Sequence, residues 1–263
     1  MPKSFVAVIL VSACSGPAAL HAQMLTNPVQ DFINKTTLLN NILSNRRAIE
    51  MSQKAQNGGV SQRPGSKTQA EPDRTAFTYS GSTLMPKQLA VKAGPQAEQY
   101  FNSLISLYEQ TARKDGFPPH DLAYAMEYFL VNTYMTYHDL HDVEYTKDPR
   151  VKRGKDMFER LTIVNEKKLL KVTLPQERAV YQQFKTALSS NAAVASMTDR
   201  QKQEVTELLA IGFGVNFKTY LDAVNREDDR AIEVAHQQAR TSLEKLTGTP
   251  IERIKFTSFG LEK

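Results

Sequence analysis

The sequence predicts an all-α protein whose main domain is a single bundle of about six helices. After residue 94, apolar side chains recur at intervals of three and four, which is the period of a helix with one buried face. Glycine and proline stand at the ends of these stretches, as they do around helices. No segment shows the alternating pattern of a strand ladder. A stretch of roughly 165 residues is long enough to bury one core.

The chain divides into four parts by composition. Residues 1–22 have the layout of a secretion signal, and residues 23–56 form a helical arm with a thin apolar stripe. Residues 57–93 begin as a flexible linker, rich in Gly, Pro, Ser and charge, and continue as an extended segment laid on the domain. Residues 94–263 form the helical domain. We expect the arm to fold only against the domain or a partner.

The signal has a positive start, a short apolar run and a cleavage site. Lys3 supplies the charge, residues 5–13 are apolar, and cleavage is expected just before Gln23. The alternative is a lipoprotein, because the sequence that ends at Cys14 resembles a bacterial lipobox. Cys14 is the only cysteine, so no disulfide is predicted. No later segment has the uninterrupted apolar length of a transmembrane helix.

The charge balance argues against a broad nucleic-acid surface. The formal net charge is +5, but residues 76–263 carry 25 Lys/Arg and 24 Asp/Glu. A nearly neutral domain lacks the basic patch that nucleic-acid binding requires. One local basic run, residues 147–155, is interpreted as a solvated helix face. The charge balance does not argue against a protein partner.

The domain helices follow one another after short turns. The first begins near Gly94 and ends at Gly116, and the central helix opens at Pro118–Pro119 and continues to Tyr145. The third starts at Asp148–Pro149 and turns Met157, Phe158, Leu161 and Val164 inward. The others start at Pro175, at the capping box of Thr198 and Gln201, and at residue 227. After Gly248 comes one further turn and an extended tail that contains Phe259.

Two glycines interrupt the helix that starts at the capping box. Gly212 and Gly214 would each cost about 1 kcal/mol relative to Ala. A helix tolerates this cost where a neighbouring element comes close, and we expect the central helix to be that neighbour. The GxG pattern follows no strand, so it does not indicate a nucleotide-binding loop.

The central helix carries the candidate functional residues. Tyr134, His138, His141 and Tyr145 form a polar cluster along one side of it. The two histidines, three residues apart, could reach a common ligand, and His236 on the last helix could provide a third group. Glu144 completes an attractive spacing but points about 120° away from His138. No metal signature is present, so no metal or other cofactor is predicted.

Three segments resemble a family of exported bacterial helical proteins that is catalogued only as a domain of unknown function. They are the turn from Gly116 through residues 121–125, the block 197–204 with Glu207, and the ending 246–260. The resemblance covers about residues 77–263. It implies an exported helical domain behind a signal and a variable linker, and it implies no activity.

These observations favour a non-catalytic binding or structural module of the cell envelope. No nucleophile–base pair, phosphate loop or cofactor motif is present in the sequence, so enzymatic activity is not predicted and no catalytic residue is assigned. The alternative function is a metal-binding protein or enzyme centred on His138 and His141. Geometry distinguishes the two functions. A metal or catalytic site requires His236 or a carboxylate from another helix to lie close to both histidines.

Overall fold

The computed structural model describes residues 73–141 and 156–262. The predicted signal, the arm, most of the linker, Tyr145 and the basic run lie outside these ranges. The helices are α1 Met85–Ala93, α2 Pro95–Asp115, α3 Leu122–Tyr137, α4 Met157–Leu170, α5 Leu174–Ser189, the single turn α6 Ala192–Ala195, α7 Asp199–Asn225 and α8 Asp229–Thr247. A 3₁₀ turn, Ile251–Arg253, leads to the strands β1 Lys255–Thr257 and β2 Gly260–Glu262. The all-α prediction is confirmed.

Helix α3 is the centre of the bundle. Thirteen of its 16 residues are buried, because it is apolar on every side and packs against α5, α7 and α8. Its N-cap is Asp121, whose side chain accepts a hydrogen bond of 2.7 Å from the Ala123 amide. The helix therefore begins after Asp121, and not at Pro118–Pro119 as the sequence analysis had it. Gly116 does end α2, in the left-handed conformation.

Helix α7 begins at a capping box and contains a glycine at a point where α2 comes close. The Thr198–Gln201 box is present as predicted. A Cβ atom on Gly214 would lie 2.7 Å from Leu104 Cδ2, a distance that a methyl group cannot occupy. The close neighbour of Gly214 is therefore α2, and the prediction that it would be the central helix is wrong.

The segment before residue 94 is partly helical. Residues 85–93 form α1, where an extended chain was predicted. The backbone amides of Leu84 and Met85 each donate a 2.8 Å hydrogen bond to Oε2 of Glu207. A carboxylate at this position satisfies amides that the first turn leaves unpaired, which explains why a helix starts here.

The C-terminal tail is a small hairpin. β1 and β2 pair antiparallel, with Phe256 opposite Leu261, whereas the sequence analysis predicted an extended tail and no strands. Gln183 accepts from the Leu261 amide at 2.7 Å, and Gln176 donates to Phe256 O at 2.8 Å. These side chains of α5 provide partners for the hairpin backbone, a role that hydrophobic periodicity does not reveal.

Helix α4 differs most from its prediction. Its N-cap is Asp156, which accepts from the Glu159 amide at 2.9 Å. The start predicted at Asp148–Pro149 lies outside the described residues. Met157, Phe158 and Leu161, which were predicted to face inward, are 73%, 82% and 46% exposed. None of the helices in the described ranges is long and apolar enough to cross a membrane.

We predict that Leu140→Ala destabilises the protein by about 2–5 kcal/mol, measured by denaturant unfolding. Leu140 is fully buried, and its truncation leaves a cavity that the surrounding side chains fill only in part. The matched control is Leu169→Ala, since Leu169 is 88% exposed, and it should change stability by less than about 0.5 kcal/mol. Equal effects of the two substitutions would contradict the packing described for the end of α3.

Candidate functional site

The predicted polar cluster lies where α3 ends. The helix stops at Tyr137, and Asp139 follows with a φ of 54°, in the left-handed region that Asp tolerates better than most residues. The Leu140 amide donates back to Met135 O at 2.8 Å. His138 and His141 therefore do not share a helix face, and the prediction that the helix carries both of them on one stripe is wrong; Tyr145 lies outside the described residues.

His138 packs among aromatic rings. Its ring centroid lies 4.4 Å from that of Tyr134 and 4.7 Å from that of Tyr137. Tyr134 in turn contacts Phe256 of the hairpin at 4.7 Å. Burial, and after it the nearby Lys167 ammonium, lowers the pKa of His138 to about 4. The ring is therefore neutral at pH 7.

His141 packs on α7 and is also neutral at pH 7. Its ring lies 4.3 Å from that of Phe217, and its Nε2 lies 2.9 Å from Thr136 Oγ1. The Thr136 hydroxyl also lies 2.9 Å from Asn132 O, so it links the His141 ring to the backbone of α3. Burial lowers the pKa of His141 to about 4.

Asp139, between the two histidines, is the centre of a buried polar network. Its Oδ1 accepts from the Tyr220 hydroxyl at 2.7 Å and from His236 Nε2 at 2.8 Å. Its Oδ2 pairs with Lys167 Nζ at 3.2 Å. The same ammonium donates to His138 O at 2.7 Å. The network therefore joins the end of α3 to α4, α7 and α8.

The electrostatics of this network favour the ionised carboxylate. Burial alone would raise the pKa of Asp139, but the hydrogen bond and charge of His236, the Lys167 ammonium and the Tyr220 hydroxyl together lower it. Lys167 and Asp139 have side chains only 3% and 10% exposed. A buried ion pair with several hydrogen bonds costs much free energy when one partner is removed.

Three of the four residues of the predicted polar cluster lie at this turn, but they do not form a set of metal ligands. Tyr134 and His138 are in ring contact, and His141 lies on the α7 side of the same turn. His236, expected as a third ligand, instead binds Asp139. Among the described residues, no group of three or more His, Cys, Asp or Glu side chains could hold a metal ion.

Sequence reasoning missed the centre of this network. Asp139, Tyr220 and Lys167 are not among the candidate residues that the sequence predicts. A buried lysine gives no sequence signal, because its spacing is that of an ordinary charged position. The one available signal was Asp139 itself, an ionisable residue between His138 and Leu140 just after a largely apolar helix.

A second polar site lies on α7 and holds the segment before α1. Gln203 accepts from the Ser80 amide at 3.0 Å and donates to Ser82 O at 2.8 Å and to Glu207 at 2.7 Å. Since Glu207 caps α1 as described above, consecutive turns of α7 bind the backbone of one segment. Gln203 and Glu207 are four residues apart, on one helix face.

Two further side chains of α7 extend this site toward its N-terminus. Asp199 accepts from the Thr78 amide at 3.0 Å, and Lys202 donates to Ala76 O at 3.2 Å. These residues belong to the block 197–204, which the sequence analysis used only as a cap and as part of a resemblance. Their spacing follows from the need to reach successive backbone groups of an extended chain from one face of a helix.

A third polar cluster closes the other end of α3. Oδ2 of the fully buried Asp121 accepts from the Tyr181 hydroxyl at 3.1 Å and from Lys185 Nζ at 3.3 Å. Lys185 also binds Asp73 at 2.6 Å. Ala76 forms an isolated antiparallel bridge with Asp121. The segment before α1 is thereby attached to the start of α3 as well as to α7.

These features define a helical-bundle protein in which residues 76–85 are bound along one face of the longest described helix. The chain belongs to the family of unknown function DUF6683, whose model matches residues 2–151 and 171–263. No curated protein and no solved structure matches the chain. The suspected resemblance to a domain of unknown function is thus confirmed.

We predict that the free energy of unfolding falls as the pH falls from about 6.5 to about 4, and that His138→Gln with His141→Gln removes part of this dependence. Both histidines have a folded-state pKa of about 4 and an ordinary value near 6.5. In this window the unfolded state binds protons that the folded state does not, so acid destabilises the fold. Denaturant unfolding of both proteins across this range measures the difference.

A double variant with the full wild-type pH dependence would contradict this assignment.

Metal titration gives an independent check on the same residues. A ligand that binds only the folded state adds about 2.7 kcal/mol at a hundred times its dissociation constant. A rise in melting temperature with Zn²⁺, abolished by His138→Gln alone, would favour the alternative metal-binding function.

Proposed function

We propose that this chain is a non-catalytic binding module of the cell envelope, exported by the signal in residues 1–22. The observation that carries the proposal is the outward face of α4. Met157, Phe158 and Leu169 are 73%, 82% and 88% exposed, and Leu161 is 46% exposed. We call these four residues the α4 apolar face. Exposed apolar clusters of this kind are typical of interaction sites.

The polar groups of the candidate site support a structural role for that site. His141 binds Thr136, His236 binds Asp139, and His138 packs on two tyrosines. Asp139, the most strongly hydrogen-bonded of these residues, has Tyr220, His236 and Lys167 as partners. Groups that already bind one another within the fold require a rearrangement before they can act on a substrate.

Other exposed apolar residues in the described ranges stand apart from the α4 apolar face. Phe259 is 87% exposed at the hairpin turn, Val91 is 83% exposed on α1, and Val234 is 50% exposed on α8. Scattered residues of this kind are common on protein surfaces and need no special explanation. Five exposed apolar residues on one 14-residue helix, the α4 apolar face and Leu170 at 43% exposed, are a different case, which favours a binding surface on α4.

The test is fractionation of cells that produce the full chain. We expect the exported protein to begin at Gln23 by intact-mass analysis and to sediment with the envelope. Combining Phe158→Ser with Leu161→Ser should release it into the soluble exported fraction, because it removes apolar contact area from the binding surface. Phe259→Ser is the matched control and should stay with the envelope.

Two results would overturn this proposal. One is wild-type protein that stays inside the cell. The other is envelope association that the α4 variant leaves unchanged, including association through a diacylated Cys14, which intact mass would reveal. Melting curves of the variants must match that of the wild type, and exposed positions meet this condition more readily than core positions.

A further inference from the structure

We propose that one face of α7 is a binding site for an extended polypeptide segment of another chain that carries aromatic residues at alternate positions. Residues 76–85 of this chain occupy the site when no such partner is bound. The face carries Asp199, Lys202, Gln203 and Glu207, and we call these four residues the α7 polar face. It is separate from the α4 apolar face, and its role does not depend on the function proposed above.

The α7 polar face binds the backbone of residues 76–85. Its four side chains bind backbone amides or carbonyls at positions 76, 78, 80, 82, 84 and 85. Every residue except proline presents the same backbone amide and carbonyl, so an extended segment of different sequence can form these hydrogen bonds. In peptide recognition of this kind, main-chain hydrogen bonds supply affinity and side-chain contacts supply specificity.

The face has hydrogen-bonding capacity that residues 76–85 leave unused. At 100° per residue, the four side chains of the α7 polar face fall within an arc of about 140° on α7, and Thr206 lies inside the same arc. Thr206 is only 4% exposed, and its hydroxyl has no hydrogen-bond partner among the described residues. Buried hydroxyls in proteins nearly always have a partner, so this one is available to a different occupant of the face.

Residues 78–85 bury little of their own surface. Thr75 and Phe77 are 0% and 9% exposed, but every side chain from residue 78 to residue 85 is half-buried or exposed. A Cβ atom added to Gly81 would meet nothing within 4 Å. Segments with few buried apolar contacts open at a lower free energy than the core does. Another segment can therefore displace these residues without unfolding the bundle.

Exchange for another segment is more favourable than opening alone. Gln203 and Glu207 are 1% and 2% exposed, and the departure of residues 78–85 would remove backbone partners from both. Leaving buried polar groups without partners is costly. A second extended segment restores these hydrogen bonds, so the α7 polar face favours replacement of its occupant.

His120 gives the site a preference for aromatic residues. Its ring is stacked on that of Tyr79, with centroids 4.9 Å apart and 10° between the planes, and lies 5.7 Å from that of Phe77. Side chains two residues apart in an extended chain lie on the same side, so both rings reach His120. The Nε2 atom of His120 lies 3.6 Å from Glu109 Oε1 on α2. We therefore expect aromatic residues at alternate positions in the partner segment.

The experiment measures, by fluorescence anisotropy, how a labelled synthetic peptide of residues 75–86 binds to the purified full chain. The chain's own segment competes at an effective concentration on the order of millimolar, so the wild type should bind weakly. Tyr79→Ser in the chain removes the stack on His120 and leaves the α7 polar face intact, so it should raise the affinity by about threefold or more. Phe259→Ser removes an exposed ring elsewhere and should bind as the wild type does.

N-methylated peptides test backbone recognition with the protein unchanged. Methylation of the Leu84 amide removes a donor to the buried Glu207 carboxylate and should weaken binding to the Tyr79→Ser chain by about tenfold or more. The matched control is methylation of the Tyr79 amide. That amide lies between two that donate to α7 but donates to no α7 side chain in the described residues, so its methylation should have a smaller effect.

Hydrogen exchange identifies where the peptide binds. Unlabelled peptide at saturation should accelerate exchange of the chain's own amides in residues 78–85, because these amides lose their acceptors on α7. The amides of α3 should keep their protection. Three results would each overturn the proposal: no saturable binding to the Tyr79→Ser chain, equal affinity of the two methylated peptides, or unchanged exchange in residues 78–85 at saturation.

Discussion

The burial of both ends of α3 is the constraint on which the rest of the structure depends. A helix enclosed on all sides cannot leave its terminal polar groups to water, so each group needs a partner in the protein. At both ends a buried aspartate accepts hydrogen bonds from neighbouring helices. Asp121 at the start accepts from a tyrosine and a lysine of α5. Asp139 just beyond the end accepts from Tyr220 and Lys167, together with His236.

This constraint also explains why α4 exposes its apolar residues. Lys167 must reach Asp139 and His138 O, so its side of α4 faces the bundle. The remaining circumference of a 14-residue helix then includes the α4 apolar face. In an ordinary amphipathic helix the apolar stripe would face the core. Here Lys167 and the partly buried Val164 face the bundle, and the α4 apolar face points outward.

The sequence predicts the elements well and their polar contacts poorly. Helix ends marked by Gly116, Gly248 and the Thr198 capping box follow local rules of backbone chemistry, and the structure confirms each one. The turn at Asp139 depends on partners from three distant helices, which no local pattern reveals. Glu207 starts α1 from 123 residues away, so propensity alone predicted an extended segment there.

The most direct test of this account is a double-mutant cycle on Asp139 and Lys167. Asp139→Asn keeps a residue that tolerates the φ of 54° but leaves the Lys167 charge buried without its counterion. The account predicts a loss of about 3–5 kcal/mol in the free energy of unfolding. Adding Lys167→Met should restore much of it, giving a coupling energy above about 1 kcal/mol. Additive effects within about 0.5 kcal/mol would show that the two side chains act independently and would contradict the account.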